Sequence, residues 1–132
     1  MHDIFQQRGS AADRQPLSEA LDKVMRQVDY RCFADLRLNR IDPLYRELCL
    51  IIAEAFLIEP DSPVKINGSL ICAQLLKEVY SKLNNEHLRM VFDNFRNVTA
   101  RVFNKKAYLR TALYNAVFEL ESTCVNDFHR DD

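Results

Sequence analysis

The sequence predicts an all-α domain: a compact bundle of about five or six helices with the C-terminal helix at its centre and at most a short β ribbon. Three observations lead there. Apolar residues recur every three or four positions through most of the chain. There are two glycines and four prolines, too few for the many tight turns of a sandwich or barrel. A single stretch, Val64-Lys65-Ile66, alternates in the manner of a strand.

The elements follow in chain order. Residues 1–16 are polar and include Gly9, Ser10 and Pro16, which reads as a flexible arm. A first helix begins near Leu17 or Ser18, with Leu21, Val24, Met25 and Val28 on one face. Tyr30 to Leu38 reads as a short second helix that turns Phe33 and Leu36 inward. Asp42-Pro43 is a helix start, because aspartate caps free amides and proline at the first position sacrifices no hydrogen bond. The stripe Leu44, Leu48, Ile51, Ile52, Ala55 and Phe56 follows, with Arg46, Glu47 and Glu54 on the polar side. Pro60 ends it by excluding the preceding residue from helical geometry.

Residues 59–68 form the main irregular segment, closed by the turn signal Asn67-Gly68. A helix is expected from about Ser69 to Leu83, on the stripe Cys72, Leu75, Leu76, Val79 and Leu83. Asn84-Asn85 stops it and caps the next, which turns Leu88, Val91, Phe92, Phe95 and Val98 inward and Arg89, Asp93 and Arg96 outward. Asn104 caps the last helix. There Leu109, Ala112, Leu113, Ala116, Val117 and Leu120 make one broad apolar face, and Ala107, Thr111, Tyr114 and Phe118 a second. A helix apolar on two sides is expected to be enclosed by its neighbours. The chain turns polar at Ser122 and frays, so one domain spans residues 17–126, with a tail at 127–132.

Composition narrows the function. The net charge is −1, so bulk electrostatics selects neither nucleic acid nor an acidic membrane. No apolar run approaches the roughly 20 residues of a membrane-spanning helix, and the N-terminus lacks a signal-peptide core; the expectation is a cytoplasmic protein without a membrane partner. Cys32, Cys49, Cys72 and Cys124 are widely spaced, and His2, His87 and His129 have no i,i+4 pairing, so no metal site is expected and the thiols read as buried and free. His87, in an early helical turn, reads as a surface or capping residue. Two glycines cannot build a phosphate-cradling loop, and no cofactor motif is present. No acid–base pair or nucleophile with its base is visible, so no catalytic residue is assigned and the chain reads as a non-enzyme.

The run Asn104-Lys105-Lys106-Ala107-Tyr108-Leu109-Arg110-Thr111-Ala112-Leu113-Tyr114-Asn115-Ala116 is the most specific feature. It resembles the pattern N-x-K-A-Y-L-x-T-A-L-Y-N-A near the C-terminus of replication initiator protein A of plasmids and integrative elements. Val64, Ile66 and Gly68 resemble that family's V-x-I-x-G segment. Leu83, His87 and Leu88 are similar to its helix-joining motif, and Val125-Asn126 to its terminal V-N pair. The resemblance covers about residues 25–126 and implies a helical domain related to the primosome family typified by DnaD. It implies docking onto host replication proteins, the primase or the helicase-loading machinery. The family's origin-binding winged helix has no counterpart in these residues, and Val117 stands where the family often has proline.

Between Arg96 and Phe118 lie Arg96, Arg101, Lys105, Lys106 and Arg110, with no acidic residue. These five are the candidate partner-binding or nucleic-acid-binding residues. Lysines can track phosphates by displacing counterions, and Phe103 and Tyr108 could stack on bases. The alternative function is therefore a small DNA-binding regulator that uses this stretch without base preference. Asn115 lies on the polar strip of the last helix and reads as a buried amide hydrogen-bonded to a neighbouring helix, with partner recognition as its functional alternative.

Overall fold

The computed structural model describes residues 16–35, 40–98, 102 and 104–131. Helix α1 spans residues 16–27. A 3-10 turn, Tyr30–Phe33, leads into β1, Ala34–Asp35, which pairs antiparallel with β2, Arg40–Ile41. Then come α2, Pro43–Phe56; a hairpin of β3, Pro63–Ile66, and β4, Ser69–Cys72; α3, Ala73–Tyr80; α4, Asn85–Arg96; and α5, Lys105–Asp131. The fold is helical with two short ribbons. Helix α5 packs against α2, α3, α4 and β3, and α2 also packs on α3 and α4. The buried centre is Leu48, Ile52, Leu76, Tyr80, Leu88, Leu109 and Leu113.

Local chemistry sets the helix starts. The Asp42 carboxylate accepts from the Leu44 amide at 2.9 Å, with Pro43 at the first helical position. Asn84 opens α4 through a reciprocal box. Its side chain accepts from the amides of Glu86 and His87, while its own amide donates to His87 Nδ1 at 3.0 Å. His87 is buried by this arrangement; it caps, and does not sit on the surface. Asn104 opens α5 by accepting from the Ala107 amide at 3.0 Å. Each such cap contributes about 1 kcal/mol. At the other end of α3, Gln27 of α1 donates to the carbonyls of Tyr80 at 3.0 Å and Leu83 at 2.7 Å, satisfying acceptors that a helix terminus leaves open.

Several expectations need correction. Ser69–Cys72 is a strand, not the first turn of a helix. Asn67 (φ 54°) and Gly68 (φ 78°) are both left-handed, the geometry of a two-residue hairpin turn, and they fold Ser69 back opposite Ile66. Helix α3 therefore starts at Ala73. Cys72 is exposed, as is Cys32, and neither is the buried thiol expected; Cys49 is buried. The expected helix over Tyr30–Leu38 is a single 3-10 turn, entered from Asp29 in the left-handed region and left through extended Ala34. Phe33 is buried as expected, while Leu36 lies outside the described residues. Helix α5 stays helical past Ser122 to Asp131, a stretch with no proline or glycine to break it. The arm, apart from Pro16, lies outside the described residues.

At one end of the core three rings stack. Phe33 lies 4.0 Å from Tyr45 with 5° between planes, and Tyr45 lies 4.2 Å from Phe92 with 4°. The guanidinium of Arg89 stands over Phe33 and that of Arg96 over Phe92, each 5.4 Å from the ring centre. This column joins the 3-10 turn, α2 and α4. Among the described residues, no helix is long and apolar enough to cross a membrane.

Candidate functional site

A groove of about 680 Å³ runs between the β3–β4 hairpin tip, α4 and the N-terminal half of α5. The helical repeat creates its long wall. Asn104, Ala107, Tyr108, Thr111, Asn115 and Glu119 recur at intervals of three and four and so share one stripe of α5. Ala112 and Ala116 border the stripe, and their small side chains leave space there. Met90, Val91 and Asn94 of α4 form the facing wall, and Lys65, Asn67 and Gly68 close one end.

The groove holds its shape through polar contacts. Asn67 at the hairpin tip and Asn115 on α5 form a reciprocal amide pair: Asn67 Nδ2 donates to Asn115 Oδ1 at 2.9 Å, and Asn115 Nδ2 donates to Asn67 Oδ1 at 3.1 Å. Amides serve this because each carries both donor and acceptor. Tyr108 leans on Phe95 of α4, ring centres 5.7 Å apart. Behind the groove, the buried Tyr80 hydroxyl donates to the Arg110 carbonyl at 2.6 Å and ties α3 to α5. Asn115 thus bonds to a neighbouring element as expected, but the element is a turn rather than a helix.

The four described basic candidates are each drawn into the fold rather than left as one free patch. Lys105 Nζ lies 2.9 Å from the Glu47 carboxylate of α2 and 5.5 Å from the centre of the Phe95 ring. Lys106 is ion-paired with Glu54, also on α2. Arg96 covers Phe92 in the ring column. Arg110 is half-buried, and its Nε is buried without a hydrogen-bond partner. Arg101 lies outside the described residues, as does Phe103. Of the two aromatics expected to stack on bases, Tyr108 lines the groove. The glutamates that hold the lysines are seven residues apart on α2, about two helical turns, and so share one face of that helix.

Two of the thiols, Cys49 and Cys32, are held toward the protonated, less nucleophilic form. Burial pushes the Cys49 thiol up to about 12. Cys32 is raised because its thiol donates to the Asp29 carboxylate, 2.9 Å away, which favours the protonated form. Burial likewise raises Tyr80 and holds it as a neutral donor. Among the described residues, no group of three or more His, Cys, Asp or Glu is placed to hold a metal ion.

Fold and groove define a small helical domain with an amide-lined recess. Residues 7–130 match the Family of unknown function (DUF6017), and the chain belongs to that family. A search of curated proteins and of solved structures finds no match.

Proposed function

We propose that this domain is a cytoplasmic, non-enzymatic docking module of a plasmid or mobile-element replication initiator, and that its groove receives a segment of a host replication protein, the primase or a helicase loader. One observation carries the reading. The run that resembles the initiator family serves two sides: Leu109, Leu113 and Ala116 are buried, whereas Asn104, Ala107, Tyr108, Thr111, Ala112 and Asn115 line the groove with more of their surface open. A run needed only for packing has no reason to specify the open side as well. The walls carry one lysine and one glutamate among uncharged side chains, which suits a neutral peptide segment better than a phosphate backbone. The alternative, a DNA-binding regulator, is less favoured because Lys105 and Lys106 already face glutamates.

The test is direct titration of the nuclease-treated domain against purified primase and purified helicase loader. Thr111→Arg fills the groove and is expected to weaken binding about tenfold or more, as for an obstructed interface centre. A Lys105→Ala/Lys106→Ala variant is expected to bind as wild type does, with modest dependence on salt. Binding to neither protein overturns the reading. Binding to DNA that falls steeply with salt and is lost in the lysine variant replaces it with the regulator.

A further inference from the structure

We propose that Asn67 is a site of intramolecular deamidation, and that its amide pairing with Asn115 governs when the reaction runs. Asn67 is followed by Gly68, the residue that least hinders attack by its own backbone nitrogen on the preceding side chain. Nothing stands within 4 Å of where a Cβ on Gly68 would lie, so the turn has room to rearrange. Both residues are exposed to the water the reaction consumes. Asparagine is among the thermally labile side chains for this chemical reason.

The steps balance without an oxidant or a catalyst. The Gly68 backbone nitrogen bonds to Asn67 Cγ, the Cγ–Nδ2 bond breaks, and Nδ2 leaves as ammonia with the proton shed by Gly68. Water then opens the five-membered imide. Opening at the side-chain carbonyl leaves aspartate; opening at the main-chain carbonyl leaves isoaspartate, with the chain running through Cγ.

The reciprocal pair opposes the first step. While Asn67 Nδ2 and Oδ1 both engage Asn115, at 2.9 and 3.1 Å, the side chain is committed to α5 and is not free to swing onto the Gly68 nitrogen. Once the reaction has run, the pair cannot re-form. A carboxylate has no donor for Asn115 Oδ1, so two acceptors face each other. Isoaspartate also adds a backbone atom to a turn of two residues that sets the β3–β4 register. The modification is therefore a one-way release of the hairpin tip that closes one end of the groove. This chemistry does not rest on the docking role.

Peptide mapping by mass spectrometry of the intact chain, aged in mildly alkaline buffer, tests it. Wild type and Asn115→Ala are compared, with isoaspartate scored by enzymatic methyl labelling and folding checked by calorimetry before and after. Asn67 is expected to convert in both, with isoaspartate the larger product, and about tenfold faster in Asn115→Ala, the change that two neutral hydrogen bonds can sustain. Asn115→Asp, which preserves size but removes one donor, is expected to fall between. Equal rates in folded wild type and folded variants overturn control by the pair. No conversion at Asn67 in any of the three overturns the site itself.

Discussion

The two faces of α5 are written in the same thirteen residues and behave in opposite ways. Leu109 and Leu113 have no exposed surface, and Ala116 and Val117 have almost none. One step around the helix, Ala107 is exposed and Tyr108 keeps 38% of its surface. Further on, Phe118 keeps 45%. Apolar character on a helical wheel therefore marks only what is able to be buried. Large aliphatic residues enclose the first face, while Ala107 and Thr111, tolerant of either environment, leave their part of the second as the wall of a groove.

The difference is sharpest in stability. Leu113→Ala leaves a void beside Leu48 and Leu109 in the core and is expected to cost about 3 kcal/mol, whereas Thr111→Ala on the groove side is expected to cost under about 0.5 kcal/mol. Urea unfolding of the two variants measures the contrast, and similar losses would erase the distinction between the faces.

A second break comes with alkali. Burial raises Cys49 from 9.0 to about 12, so above pH 9 the unfolded chain gives up this proton while the folded chain keeps it. The contribution is complete below pH 9 and is lost as pH climbs toward 12. Cys49→Ala is expected to lower stability at neutral pH but to flatten the alkaline decline, read from unfolding midpoints across that range.

Smaller effects mark where the two faces meet at the start of α5. Asn104→Ala removes the bond to the Ala107 amide and is expected to cost about 1 kcal/mol, with the loss confined to the first turn in hydrogen exchange. Lys106→Ala removes a half-exposed ion pair with Glu54 and is expected to cost under about 1 kcal/mol, less as salt rises. A larger or salt-independent loss would mean that this pair, and not the apolar face, anchors α5 to α2.

What the sequence made legible follows the same division. Asp42-Pro43, Asn84 and Asn104 declare helix starts because a cap acts over three residues. The aliphatic stripes declare the core. The strand at Ser69–Cys72 was hidden, since its apolar spacing continues into α3 and only the left-handed pair Asn67-Gly68 reveals the reversal. The groove was only partly foreshadowed: of the second apolar face Ala107 and Thr111 line it, while Tyr114 and Phe118 do not. The contacts that define it join residues 48 apart, Asn67 with Asn115, and those that neutralise the basic stretch join residues 52 apart, Lys106 with Glu54. No local pattern encodes such pairs.

The ring column has a practical consequence. The chain has no tryptophan and five tyrosines, and Tyr45 is clamped between Phe33 and Phe92 at about van der Waals distance. A phenol fixed in so asymmetric a setting acquires strong near-ultraviolet dichroism, and it loses that signal when the 3-10 turn, α2 and α4 come apart. The protein thus carries its own optical reporter of tertiary assembly, readable without a label.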